Sequence, residues 1–70
     1  MKFNEGLIFS EDKHLYIIKH EDSVYKAEYY YNPYEFVFDN ITGSCFKTLE
    51  EAIEWCRKDY KGRVRSLLDE

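Results

Sequence analysis

The sequence predicts one small α+β domain, with an antiparallel three- to four-stranded meander sheet packed against one main C-terminal helix. Residues 15–46 are rich in aromatic and β-branched side chains separated by short turn segments, which is typical of strands joined by hairpins. Thr48 and Glu51 then have the spacing of a capping box, and an apolar residue recurs every three or four positions after them. With 70 residues, the chain forms a single domain spanning residues 1–70.

The strands are predicted from short segments with alternating or continuous apolar residues, in chain order residues 14–20, 24–31, 34–39 and 44–47. Residues 7–9 form either a further short strand or a packed arm. Residues 21–23 are polar and form a turn, and Thr42-Gly43 predicts another. We expect the ladder to stop at Asn32-Pro33, because proline has no N–H donor and restricts the residue before it.

The helix is predicted from about Leu49 to Lys61, with Gly62 as the residue that ends it. Residues further on stay nearly in phase with its apolar stripe, so a helix that continues past Gly62 is the alternative. Continuation would turn Arg63 toward the sheet, and we therefore favour a break followed by a short second helix or an irregular tail.

The predicted core combines the inward faces of the strands with the apolar stripe of the helix. Its members are Tyr16 and Ile18 (or their neighbours Leu15 and Ile17), Ala27, Phe36, Phe38, Phe46, Leu49, Ala52, Ile53 and Cys56.

The formal charge of −4 is unevenly distributed. Residues 1–56 carry five lysines and eleven acidic residues, a net charge of −6, whereas residues 57–70 carry five basic and three acidic residues, a net charge of +2. Most of the surface would therefore repel nucleic acid and attract a basic partner.

No pattern in the sequence points to catalysis, a cofactor or a metal. His14 and His20 lie roughly 20 Å apart on one strand, at about 3.3 Å per residue, which is too far for one ion. There is no glycine-rich phosphate loop. Two cysteines are too few for a disulfide framework, and we expect Cys45 and Cys56 to be reduced and buried in a cytoplasmic protein without a membrane segment. We expect no enzymatic activity.

Thirteen aromatic residues exceed what so small a core holds, so some of them are expected at the surface. Tyrosine and tryptophan are common at binding hot spots, and carboxylates beside them favour a basic partner. The predicted partner-binding residues are Glu28, Tyr30, Glu35, Val37, Asp39 and Trp55. The alternative interpretation is that the tyrosines have no binding role: their rings are buried in a thin domain and their hydroxyls reach solvent.

The leading hypothesis is a small acidic inhibitor or adaptor, monomeric or homodimeric, that occludes a basic surface of a partner protein. One alternative is a nucleic-acid-binding module that uses Arg57, Lys61 and Arg65, which are spaced i, i+4 and i+8 if the helix continues, together with exposed tyrosines. A second alternative is a structural domain that homodimerises through its sheet.

Two short patches, Glu21-Asp22 with Tyr25-x-Ala27 and Thr48-Leu-Glu-Glu-Ala, resemble the N-terminal part of HicB-type antitoxins. This resemblance implies a protein that binds and blocks a small RNase toxin. The chain departs from that family in its 34–39 strand, which replaces a short link. It is also similar in size and charge to small acidic phage proteins, including anti-CRISPR inhibitors. Both resemblances imply a compact protein that acts by binding another macromolecule, and the leading hypothesis includes an origin in a phage or mobile element.

Overall fold

A computed structural model of the chain describes residue 3, residues 6–34 and residues 37–68, while the side chains of residues 33, 34 and 65–68 lie outside this description. Its elements are β1 (Ile8–Glu11), β2 (His14–Glu21), β3 (Val24–Tyr34), β4 (Val37–Phe46) and α1 (Leu49–Leu68). The sheet order is β1-β2-β3-β4 and each neighbouring pair is antiparallel. The predicted α+β meander with one C-terminal helix is confirmed.

The turn between β2 and β3 consists of Asp22 and Ser23, with φ angles of 49° and 64°. Positive φ at both central residues is the geometry of a type I′ turn, whose twist matches that of the flanking strands. The tight turn fixes the register, and Ile18 therefore lies opposite Ala27 at the centre of the sheet.

The prediction that the ladder stops at Asn32-Pro33 is wrong for the strand, because β3 continues to Tyr34, but the β3–β4 pairing does shift register between Tyr31 and Tyr34. The last β2–β3 pair is His14 with Tyr31, and the Asn32 N–H donates to the Lys13 carbonyl at 2.9 Å. Because the Asn32 N–H points toward β2, the Pro33 nitrogen faces β4, where the register of the β3–β4 pairing shifts between Tyr31 and Tyr34 and an N–H donor is dispensable.

The predicted turn at Thr42-Gly43 is also wrong, because both residues lie inside β4. Gly43 is opposite Glu28, and a Cβ added to it would lie 3.0 Å from the carbonyl oxygen of Ala27. A glycine in the middle of a strand often marks such a close approach of the neighbouring backbone.

The helix begins at Leu49 as predicted, and Thr48 caps it: the Thr48 hydroxyl oxygen accepts from the Glu51 N–H at 3.2 Å and lies 3.0 Å from the Glu51 carboxylate. The break at Gly62 is wrong, because α1 runs without interruption to Leu68. Arg63 does turn toward the sheet, and its ion pair with Asp59 offsets the cost of placing a guanidinium there. Within the described residues, no helical segment combines the length and apolar character needed to cross a bilayer.

The core lies between α1 and one face of the sheet. The predictions of Tyr16, Ile18, Ala27, Ala52 and Cys56 are confirmed as buried. Around them lie the half-buried side chains of Phe46, Leu49 and Ile53, as well as Leu15 and Ile17 on the opposite face of the sheet. The sequence did not predict that Phe9, His14 and Tyr29 would also be buried.

Phe38 was placed in the core wrongly, since 51% of it is exposed and the pairing of Asp39 with Tyr31 puts Phe38 on the face that α1 does not cover. α1 packs on the Phe46 end of β4, where Phe46 and Trp55 are in ring contact, and all five residues 37–41 at the other end are exposed. Phe36, which was predicted in the core together with Phe38, lies outside the described residues.

Candidate functional site

Two of the predicted partner-binding residues, Glu28 and Tyr30, lie on the face of the sheet that α1 does not cover, because they alternate with the buried Ala27 and Tyr29. The Tyr30 hydroxyl donates to the Glu28 carboxylate at 3.0 Å, and the Lys19 ammonium lies 3.2 Å from the same group. Burial acts to raise the pKa of Glu28, but the hydrogen bonds from Lys19 and Tyr30 outweigh it and the pKa is lowered. The charge of Glu28 is therefore already satisfied within the chain.

Val37 and Asp39 are exposed at the end of β4 that α1 leaves uncovered. Asp39 is opposite Tyr31, which alternates with Tyr30, so it does not share a face with Glu28 and Tyr30. Glu35 lies outside the described residues. The structure does not bring these residues together with Trp55, which is in contact with Phe46 at the other end of β4.

Trp55 instead lies beside three carboxylates of α1. Its ring centroid is 6.2 Å from that of Phe46, with the ring planes inclined at 49°. The two rings form part of an open groove with a volume of about 530 Å³, which we call the acidic groove. The residues that line it are Phe46, Glu50, Glu51, Glu54, Trp55 and Lys58.

The acidic groove lies at the Phe46 end of β4. The opposite flank of α1 faces β1, because the ring of Tyr60 contacts Phe9 at 5.1 Å and its hydroxyl donates to Glu11 at 2.7 Å. Glu51, Trp55 and Lys58 are spaced i, i+4 and i+7 and share the flank near β4, a relation visible in the sequence. The contribution of Phe46 to the groove depends on how the helix docks.

A second constellation, which we call the arginine cluster, consists of His14, Tyr16, Tyr29, Asp59 and Arg63. The Tyr16 hydroxyl donates to Asp59 at 2.5 Å, and the Arg63 Nε–H donates to the same carboxylate oxygen at 2.6 Å. The guanidinium carbon lies 3.9 Å from the centroid of the Tyr29 ring, a cation–π contact, and the Tyr29 hydroxyl is 2.8 Å from His14 Nδ1. Burial and then Asp59 raise the pKa of Tyr16, and burial is also the main cause that raises the pKa of Tyr29.

The sequence could not have indicated the arginine cluster as long as the helix was taken to end at Gly62. Only a continuous helix places Asp59 and Arg63 one turn apart on the face that meets the sheet. The signal that was available is the i, i+4 spacing of these two residues.

The basic residues of the nucleic-acid alternative lie elsewhere. Arg57 and Lys61 are exposed and lie about 100° and about 140° around the helix axis from the buried Cys56, at about 100° per residue. Position 65 follows one turn later in the same helix, although the Arg65 side chain lies outside the description. The helix separates this stripe from the tyrosines that pack beneath it.

The two thiols are in different environments. Cys56 is fully buried, and burial, with a further contribution from the charge of Asp59, raises its pKa to about 12. Cys45 is exposed, so its predicted burial is wrong. It lies opposite Lys26, which alternates with the buried Ala27 and therefore belongs to the uncovered face of the sheet.

The two histidines have aromatic partners at opposite ends of β2. His14 is buried against Tyr29, and His20 stacks on Tyr25 with a centroid distance of 4.2 Å. Across the described part of the chain, no three His, Cys, Asp or Glu side chains are grouped so that they could hold a metal ion.

The geometry described above is the basis for a functional assignment, because comparison with known proteins found no significant match. No protein-family model matches the chain, and no curated protein or solved structure is significantly similar to it.

Proposed function

We propose that this protein is a small cytoplasmic interaction module that binds a positively charged segment of a partner protein in the acidic groove. The observation that carries the proposal is the contact of Trp55 with Phe46 beside Glu50, Glu51 and Glu54. This arrangement offers an aromatic surface and negative charge within one depression.

The chemistry of the groove matches a lysine or arginine side chain. The aliphatic stem of such a side chain covers aromatic surface while its charged end remains near water and carboxylates. An indole ring attracts a cation over its face, with about 0.5–1 kcal/mol at exposed sites. Glu50 and Glu54 lie on the exposed side of the groove, where their charges act mainly on the rate of encounter with a basic partner.

The role we propose is that of an inhibitor or adaptor, which covers a basic surface of its partner, such as a nucleic-acid-binding surface. The net charge of −6 over residues 1–56 supports it, since a basic patch that binds nucleic acid also attracts an acidic protein. The resemblance to HicB-type antitoxins and to small acidic phage proteins supports the same class of activity and an origin in a phage or mobile element. The proposed role is binding without catalysis.

A second candidate function, binding of nucleic acid by Arg57, Lys61 and Arg65, is supported by the continuity of α1 through Gly62. This continuity places positions 57, 61 and 65 on one face of a single helix. Binding of this kind depends on charge neutralisation of phosphates and weakens steeply as salt concentration rises.

Intrinsic fluorescence provides a direct test of the acidic groove, because Trp55 is the chain's sole tryptophan. The probe is a short arginine-rich peptide without aromatic residues, titrated into the protein while the Trp55 emission is recorded. We expect a saturable change in emission. In the double variant E50Q/E54Q the affinity should fall about tenfold, or about 1.4 kcal/mol for the two carboxylates.

The matched control is the double variant E21Q/D22N, which removes the same charge from the end of β2 and the turn that follows it, away from the groove. It should retain nearly the affinity of the parent. Equal losses in the two double variants would mean that only the net charge matters, and would overturn the proposal. The nucleic-acid candidate is tested with a labelled single-stranded oligonucleotide at two salt concentrations, where R57Q/K61Q/R65Q should abolish binding that E50Q/E54Q leaves intact.

A further inference from the structure

A small cavity lies between the sheet and the C-terminal half of α1, away from the acidic groove. It has a volume of about 270 Å³ and is lined by His14, Tyr29, Tyr31, Ile41 and Arg63. This volume is just below the usual range for ligand pockets of about 300–1,000 Å³, so its size suits a fragment-sized molecule.

The wall formed by Ile41 results from a β-bulge. Tyr29 is opposite Thr42, whereas Tyr30 is opposite Asn40, which leaves Ile41 as the extra residue on β4. Bulges interrupt a ladder and redirect a side chain, and they are common next to binding sites. Ile41 is 51% exposed and yet lines the cavity, so it forms part of the rim.

Arg63 is fixed in place before any ligand arrives. Its Nε–H and Nη2 groups donate to the two Asp59 oxygens at 2.6 and 3.4 Å, and its guanidinium stacks on Tyr29. Asp59 is held in turn by the Tyr16 hydroxyl. A side chain locked in this way loses little conformational entropy when a ligand binds, which favours binding.

The polar groups around the cavity are hydrogen-bond donors. A guanidinium has five N–H donors, and the contacts with Asp59 engage only some of them. When the Tyr29 hydroxyl donates to His14 Nδ1, the neutral imidazole carries its proton on Nε2 and is a donor there. The remaining lining consists of the Tyr31 ring and the apolar Ile41.

We propose that this cavity binds a small oxyanion, a carboxylate or a phosphate group, through Arg63 and His14, with the rest of the ligand against Tyr31 and Ile41. Asp59 already compensates the charge of Arg63, so recognition depends on oriented N–H donors more than on net charge, and binding is weak, in the millimolar range. This site does not depend on the proposed function, because its ligand has the opposite charge and it lies at the other end of α1.

The test is a set of NMR titrations of the ¹⁵N-labelled protein, which follow the backbone amides and the Arg63 Nε–H. Phosphate, benzoate and chloride are added separately at matched ionic strength, up to about 10 mM. We expect saturable shifts of Arg63, His14 and Tyr31 with phosphate or benzoate and not with chloride. A response to phosphate alone assigns a phosphorylated ligand, and a response to benzoate alone assigns a carboxylate.

Two pairs of variants decide whether the cavity is responsible. R63Q should abolish the shifts, whereas R57Q, which removes the same charge from an exposed face of α1, should preserve them. I41W should fill the cavity and abolish binding without touching a donor, and V37W on the same strand should not. If R63Q fails to fold, I41W still tests whether the ligand binds in the cavity, because Ile41 is outside the core and its replacement should leave the fold intact.

The proposal is overturned if neither oxyanion produces saturable shifts, or if chloride produces the same shifts. It is likewise overturned if R57Q weakens binding as much as R63Q, or if I41W binds as well as the parent.

Discussion

Tyr16 in β2 donates a hydrogen bond of 2.5 Å to Asp59 in α1, 43 residues further along the chain. The same carboxylate accepts from Arg63, which lies against Tyr29 of β3. One acidic side chain therefore connects the C-terminal half of the helix to two central strands. The buried phenol and the compensated charge together stabilise the position of α1 on the sheet.

Replacement of Tyr16 by phenylalanine should lower the free energy of unfolding by about 1.5–3 kcal/mol, the usual contribution of a hydrogen bond to a charged group. The ring would remain packed while Asp59 loses a donor. Urea denaturation followed by circular dichroism measures the change. The control is Y60F, which removes a bond to the exposed Glu11 and should cost less. If the two variants lose equal stability, the Tyr16–Asp59 bond is not a principal support of the helix.

Stability should decline in alkaline solution. Burial raises the pKa of Cys56 from 9.0 to about 12, and the hydrogen bond to Glu11 raises that of Tyr60 from 10.0 to about 12. The folded chain thus holds these protons more tightly than the unfolded chain. Their contribution to stability is complete below about pH 9 and is lost as the pH rises to about 12. Urea midpoints measured from pH 8 to pH 12 should fall, and the fall between pH 10 and pH 12 should be smaller in Y60F.

Two phenylalanines should respond very differently to truncation. Phe9 is buried and contacts the rings of Tyr16 and Tyr60, so F9A should cost about 3–5 kcal/mol. Phe38 is half exposed at the uncovered end of β4, so F38A should cost less than about 1 kcal/mol. Thermal unfolding of both variants makes the comparison. A large loss in F38A would show that this end of β4 is covered in solution.

Alanine at two glycine positions should change stability in opposite directions. Gly62 lies inside α1 and an added Cβ meets nothing within 4 Å, so G62A should stabilise the protein by about 0.5–1 kcal/mol. At Gly43 the added Cβ would be 3.0 Å from the Ala27 carbonyl oxygen, so G43A should cost about 1–2 kcal/mol. Urea midpoints of the two variants test both. If G62A destabilises the protein, the helix ends at Gly62 in solution, as the sequence predicted.

The two cysteines should differ in reactivity toward a thiol reagent such as DTNB. Cys45 is exposed and should react in the folded protein, whereas Cys56 is fully buried and should react only as the protein unfolds. The rate of colour development in C45S and C56S separates them. Fast reaction of the folded C45S variant would contradict the burial of Cys56.

The sequence by itself determined the types of element and their order. The continuous apolar run of β2, the alternation along β3 and the helical stripe of Ala52 and Cys56 are local patterns, and each element needs only its own residues to show them. The beginning of α1 after Thr48 was predictable for the same reason, because a cap involves neighbours along the chain.

At several positions the tertiary structure overrides these local patterns. Pro33 remains in β3 because the register of the β3–β4 pairing shifts at this point, and Gly43 lies in a strand because the backbone of β3 approaches closely. α1 continues past Gly62 because Asp59, Tyr29 and Tyr16 accommodate the inward-facing Arg63. Phe38 is exposed because the bulge at Ile41 turns it onto the face of the sheet that α1 does not cover.

Both candidate binding sites also depend on the tertiary structure. The acidic groove needs Phe46 of the sheet beside Trp55 of the helix, and the cavity needs Arg63 of the helix above Tyr29 of the sheet. The sequence already contained Glu51 and Trp55 on one flank and the Asp59–Arg63 spacing. Which strand each of them faces depends on contacts between residues far apart in the chain, and the period of a single helix or strand carries no information about such contacts.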